Sequence, residues 1–313
     1  MAKISSDPVG TLSIGNVVTT GTILYRSNLK RYLQVSLRAT AWVVAIFASA
    51  VGLLFIGGVL FGITQSWLAT IPLGLVWFGL ALYLSAKCST DRAVICRLAY
   101  QELIDAPETV AVATRQLLPR TWAFLRLSLL LGIYMFLIAM AGYILLILAI
   151  GLIVGVLIYV VKLSTDNGVV VFIVGLLAIG LALLFIALVI RFYASWFVAE
   201  LPLAVESTRS ASFSIRRSRQ LSNNVIRKLV LIITVAFLIT LPLSTIGAIP
   251  SWIGQFMSAS TTESTKVAGG FVTIAGFFVS IAIELLVMPF WQTIKAIVYF
   301  DLRNRQEGND LVI

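Results

Sequence analysis

From Leu127 to Val161 the chain carries no charged side chain across 35 residues, about 52 Å if the segment is helical. A soluble domain has no place for such a segment, whereas a membrane does, and a helix needs only about 20 apolar residues to cross one. Comparable stretches place spans at approximately 41–63, 68–86, 127–161, 169–190, 229–249 and 267–299. The expected fold is therefore all-α: a polytopic integral membrane bundle of about six transmembrane helices, forming a single membrane domain over 1–313 with a polar tail at 300–313. Composition agrees, since 60% hydrophobic and 12% charged residues with a mean hydropathy of +1.03 lie outside the range of ordinary soluble domains.

Charge sets the orientation. Eighteen of the 23 Lys and Arg residues fall in segments 1–40, 87–126 and 191–228, while the loops around 64–70, 163–168 and 250–266 contain only Lys266, with Lys162 at one border. The positive-inside bias makes the basic segments and both termini cytoplasmic, in a bacterial inner membrane or an internal membrane such as a thylakoid. Splitting 127–161 at Gly142 or Gly151 would give seven spans and export Arg209, Arg216, Arg217 and Arg219. The bias opposes that, so the stretch is read as one long tilted or broken helix, or a span with a re-entrant piece. The net charge of +10 points to anionic headgroups rather than nucleic acid, because the charge borders spans. The opening MAKISSDPVG has no apolar core and is not a secretory signal, leaving the first span to direct insertion. Trp42, Trp67, Trp122, Trp196, Trp252 and Trp291 fall near span ends, where indoles favour the headgroup level; Trp77 falls inside a span.

The basic segments have helical periodicity. Ile14, Val17, Val18, Leu24, Tyr25, Leu29, Tyr32 and Leu33 recur with Arg26, Lys30 and Arg31 between them, as in a helix lying in the interface. Val94, Ile95, Leu98, Ala99 and Leu103 repeat the pattern, before Asp105, Pro107 and Glu108 mark a turn and a fresh start. Phe213, Ile215, Leu221, Val225 and Ile226 alternate with arginines. Arg115-Gln-Leu-Leu, Arg219-Gln-Leu-Ser and, more weakly, Arg26-Ser-Asn-Leu suggest three units, each an interfacial helix followed by a two-span hairpin.

Histidine is absent from all 313 residues, which removes His-ligated metals, haem and Ser-His-Asp chemistry. There is also no phosphate-binding GxxxxGK[ST] loop and no CxxC pair. No cofactor, metal site or catalytic residue is expected. Cys88 and Cys96 are eight residues apart, about 12 Å along a helix, too far for a disulfide. Glu284, in SIAIELLVM, is an intramembrane acid, read either as a functional group or as a side chain satisfied within the bundle. Glu200 and Glu206 flank a helix-breaking Pro202; with Arg191, Asp301 and Arg303 they are candidates for a polar clamp at the cytoplasmic interface. Gly58-xxx-Gly62 and Gly151-xxx-Gly155 offer small faces for internal helix packing.

Two stretches carry a family likeness. RFYASWFVAELPLAVESTRSASFSIRRSRQLSNNVIRKL and the tail IKAIVYFDLRNRQEGNDL resemble the membrane domain associated with glycerophosphoryl diester phosphodiesterases and related uncharacterised bacterial six-span proteins, and the opening LSIGNVVTTGTILYRSNLKRYL resembles that family's first interfacial helix. The positions that carry the match are Arg191, Pro202, Glu206, Arg216, Arg217, Ser218, Tyr299, Asp301, Leu302, Arg303, Arg305, Glu307, Gly308 and Asp310. The resemblance implies six spans with cytoplasmic termini. It does not imply the enzyme, since the chain to Ile313 has no room for that soluble barrel and lacks its histidines.

The leading expectation is a non-enzymatic membrane protein that organises lipid, mainly anionic, or a membrane or cytoplasmic protein partner. Arg26, Lys30, Arg31, Arg216, Arg217 and Arg219 are the candidate contacts. The alternatives are a transporter or channel for a small or lipidic substrate using Glu284, and a lipid-modifying enzyme that would need Glu200, Glu206 and Asp301 to converge.

Overall fold

The computed structural model describes residues 14–159, 168–206 and 210–309. Among them there are only helices, turns and short connections, and six helices are long and apolar enough to cross a membrane. The bundle is three antiparallel hairpins of long helices, each preceded by a short amphipathic helix.

Helix α1 (Ile14–Ser27) meets α2 (Leu29–Thr64) at a break on Asn28. The first segment is thus not only an interfacial helix. Val17, Val18 and Leu24 are buried, and the Tyr25 hydroxyl donates to the Leu286 carbonyl at 3.0 Å. Helix α2 stops at Gln65, whose left-handed φ of 53° lets its N–H reach the Phe61 carbonyl. A short 3₁₀ turn leads to α3 (Ile71–Leu103), with Pro72 in its first turn. The periodic stretch from Val94 to Leu103, expected as an interfacial helix in the second basic segment, is instead the buried continuation of this same helix. It ends at a turn in which Asp105 is left-handed, φ 55°; Thr109 then caps α4 (Val110–Leu117) by accepting from the Val112 N–H.

Helix α5 (Thr121–Tyr159) is one unbroken helix of 39 residues. It pairs with α6 (Gly168–Trp196) so that Tyr134 stacks beside Trp196 with ring centroids 5.7 Å apart, and the Phe185 ring covers Gly142. Because α6 ends at Trp196, the first turns of α5 have no partner there. They pack inward instead: Phe124, Leu125 and Leu127 are buried and Ser128 hydrogen-bonds Ser89 of α3 at 3.2 Å. The long uncharged stretch touches the core only in its first turn, through Leu127 with Leu130 and Leu131 packed beside it, and has neither a second crossing nor a re-entrant piece in its described residues; Val160 and Val161 lie outside them.

Short α7 (Glu200–Val205) and α8 (Ala211–Ser222) lead to α9 (Ile226–Ser258), which turns back as α10 (Glu263–Asn309). The chain leaves the helical path before Pro202, which sits in the first turn of α7. The sixth span is shorter than its apolar run. From Pro289 onward α10 enters a buried layer, where Gln292 and Thr293 are buried together with Ile294, Val298 and Tyr299.

All six long helices feed that layer: Tyr32 and Val35 from α2, Ile95 and Ala99 from α3, Phe124 from α5, Ala194 from α6, Leu229 and Ile232 from α9, and Ile294 from α10. Away from it the hairpins carry exposed apolar side chains, such as Leu54, Phe55, Leu145, Leu148, Leu183 and Phe278. These make up a hydrocarbon-facing surface that no soluble monomer could expose. One end of the molecule is packed like a soluble core, and the remainder has the surface of a multi-pass membrane protein.

Candidate functional site

The packed end carries paired charge at its edges. Arg97 of α3 grips Glu108 with two hydrogen bonds of 2.8 and 2.7 Å and donates a third to the Ala204 carbonyl at 2.9 Å, tying α3 to α7. Arg120, just before α5, donates to the Leu203 and Glu206 carbonyls at 2.9 and 2.6 Å, satisfying the end of α7. Lys295 of α10 pairs with Glu200 at 3.1 Å and lies over the Phe197 ring. The buried Cys96 thiol donates to the Gln292 side-chain oxygen at 2.9 Å. Burial and then the nearby Glu200 push that thiol up from its ordinary range. Cys88 and Cys96 are both buried and unbridged, as their spacing requires.

The predicted clamp is partly assembled. Glu206 accepts from the Tyr299 hydroxyl at 2.5 Å and faces Arg217 at 3.8 Å. Asp301 pairs with Arg305 one turn on at 2.6 Å, with burial pushing its carboxyl up against the opposing pull of Arg305. Arg303 donates to the Tyr100 hydroxyl at 3.1 Å. Glu200, Glu206, Asp301 and Arg303 thus all join the polar layer, each through its own partner. Arg191 does not: it is exposed on α6, one turn before Ala194 and Ser195, where that helix becomes buried in the core. The two stretches that carry the family likeness meet at the bond between Tyr299 and Glu206, while Asp310 lies outside the described residues.

Several members of the layer left no signal in the sequence. Lys295 sat inside an apolar run assigned to a span, and Arg97, Glu108 and Arg120 acquire meaning only through partners on other helices. A second pair was equally hidden: Arg38 holds Asp91 with two hydrogen bonds of 3.0 and 2.5 Å, and the Trp42 indole donates to the same carboxylate at 3.0 Å. Glu284 is exposed and precedes Leu285, whose carbonyl accepts from Ser36 at 2.7 Å. It therefore stands at the level of the Arg38–Asp91 pair, near the packed end, and not midway along the apolar surface.

The basic helix α8 divides cleanly into two faces. Ser214, Ser218 and Ser222 recur every four residues and are fully buried, with Ser218 donating to the Ser195 carbonyl at 3.0 Å. Small side chains on this stripe let α8 lie close against its neighbours. Ser210 caps its start by accepting from the Phe213 N–H. Arg216 and Arg219 point outward and are exposed, and Arg216 lies 6.0 Å from the Phe213 ring. Arg217 differs from its two neighbours on α8, since one position round the helix turns it inward to Glu206. Near the first hairpin Arg26 and Lys30 are exposed, whereas Arg31 pairs with Glu102 at 2.9 Å. Comparison of the chain with protein-family models, curated proteins and solved structures finds no match.

Proposed function

We propose that this is a non-enzymatic multi-pass membrane protein that gathers anionic lipid, and through it protein partners, at the membrane face carrying the polar layer. That face is cytoplasmic in this reading, with both termini on it, in a bacterial inner or internal membrane. The observation that carries the reading is the two-faced α8, whose serines anchor it while Arg216 and Arg219 look outward. Exposed guanidiniums on an anchored helix attract anionic headgroups at about 1 kcal/mol each. The acids of the layer are engaged by separate cations and phenols, which favours a structural role for them over a reacting constellation. The likeness to the six-span membrane-domain family described above supports the same topology.

Extraction of the full-length protein in a lipid-retaining polymer, followed by mass spectrometry of the co-purified lipid, tests the reading. Anionic lipid is expected to be enriched over the bulk membrane, and Arg216→Glu with Arg219→Glu to abolish the enrichment. Equal recovery of anionic and zwitterionic lipid by both proteins would overturn it.

A further inference from the structure

Arg216 and Arg219 also wall a cavity. Between α5, α6 and α8 lies a groove of about 450 Å³, lined on the α5 side by Tyr134, Leu137 and Ile138 and on the α8 side by the two arginines. Phe192 and Trp196 of α6 close it, their ring centroids 6.1 Å apart, with the Tyr134 ring 5.7 Å from that of Trp196. The same arginines border a second hollow, of about 360 Å³, whose other walls are Gln220, Asn223 and Asn224. Among the described residues no acidic side chain lines either space.

The chemistry therefore runs in one order: amides, then two guanidiniums, then aromatic and hydrocarbon wall. That wall continues into the exposed apolar sides of α5 and α6, among them Leu137, Leu145 and Leu184. A soluble phosphate would use the arginines and leave the apolar wall wet, and a plain hydrocarbon would leave the arginines unmatched. A ligand with a polar head, a phosphate and an acyl chain matches all three zones in sequence. The turn of Arg217 toward Glu206 keeps that carboxylate engaged on the inner side of α8, so the outward pair faces the groove with its charge available.

We propose that this groove seats one anionic phospholipid, with its phosphate between Arg216 and Arg219 and an acyl chain along Tyr134, Leu137 and Ile138. The proposal rests on the lipid-gathering reading above and narrows it from a charged face to a single built site. Native mass spectrometry of the full-length protein in detergent, with phosphatidylglycerol or phosphatidylcholine added at equal concentration, is the test. One phosphatidylglycerol is expected to survive stepwise delipidation. Arg216→Gln with Arg219→Gln lowers its retention by about thirtyfold, taking about 1 kcal/mol for each guanidinium. Leu137→Trp fills the groove while keeping both charges, and produces a comparable loss; Ile138→Trp repeats the test from the next position should the first variant not fold. Soluble glycerol 1-phosphate leaves the lipid in place.

Retention by both tryptophan variants alongside loss in the glutamine double variant overturns the groove while leaving the charged-face reading intact. Equal retention of both lipids overturns the two together. Displacement by glycerol 1-phosphate shows a site that reads phosphate alone and overturns the phospholipid assignment.

Discussion

The α9–α10 and α5–α6 hairpins are both long, apolar and antiparallel, yet they are held together in different ways. In α9–α10 the small residues Gly247, Ser251, Gly254 and Ser258 face Gly269, Thr273, Gly276 and Ser280. A Cβ on Gly269 would come within 2.7 Å of the Gly254 carbonyl oxygen, and the Ser280 hydroxyl donates to the Gly247 carbonyl at 2.8 Å. Backbones this close gain dispersion contacts and interhelical hydrogen bonds, which are the main attractions available where lipid is as apolar as leucine. In α5–α6, Gly132, Gly151, Gly155, Gly175 and Gly180 all face open space, and Gly142 against Phe185 is the one glycine with a close neighbour among those described. Hydrophobicity brings both hairpins into a membrane, but only one of them carries its own means of staying closed. The other depends on the polar layer at its base.

The strongest way to break this comparison is through Arg120, which joins the start of α5 to the chain just after α6. Arg120→Ala leaves two partly buried carbonyls without a charged donor and is expected to cost about 3 kcal/mol. Cysteine pairs introduced across each hairpin should report selective separation of α5 from α6. Equal loosening of α9–α10 would show that the base holds both alike.

Next in size is Gly276→Val. The added side chain would meet the backbone at Pro250 and Ser251, so α9 and α10 must part, at a cost of about 1–3 kcal/mol for overpacking. Unfolding in a detergent series measures it, and an unchanged midpoint would remove the basis for calling this contact tight. Tyr299→Phe deletes the bond to Glu206 and should cost about 1–2 kcal/mol, read in the same assay. Smallest is Gly151→Ala, where a Cβ meets nothing within 4 Å. Exchanging glycine for alanine in a helix should be neutral or stabilise by up to about 1 kcal/mol, and a clear loss would reveal a hidden contact on α5.

The contrast also marks the limits of reading glycine from spacing. The GxxxG pairs at Gly58 and Gly62 and at Gly151 and Gly155 are the obvious motif, and all four glycines face open space. The working pattern alternates steps of four and three residues and mixes serine and threonine with glycine, as at Gly247, Ser251, Gly254 and Ser258. It is a seam at period 3.5, the spacing that keeps one face of a helix against its partner. A search restricted to glycine pairs passes over it.

Charge was legible where it was dense and hidden where it was isolated. The three matching tetrapeptides fall at equivalent places, at the ends of α1, α4 and α8 just before a long helix. In two of them the leucine after Arg-Gln is buried, Leu117 and Leu221, while the polar pair is exposed. Glu200, Glu206, Asp301 and Arg303 were identifiable as a group because they border apolar runs. Lys295 was not, because its neighbours are apolar and its partner, Glu200, lies 95 residues away.

Apolar length and the absence of charge by themselves determined six membrane-crossing helices, since any such segment gains by leaving water and must satisfy its backbone internally once it has left. The short helices before the first and third hairpins followed from the same hydropathy, read at helical period, whereas the second periodic stretch, Val94 to Leu103, is part of α3. Only the tertiary structure decided which hairpin closes tightly, which arginines turn inward, and where a long helix stops crossing and starts packing. Those outcomes depend on partners distant in sequence: Glu206 draws Arg217 away from Arg216 and Arg219, and the end of α6 at Trp196 sets how much of α5 is left for the core.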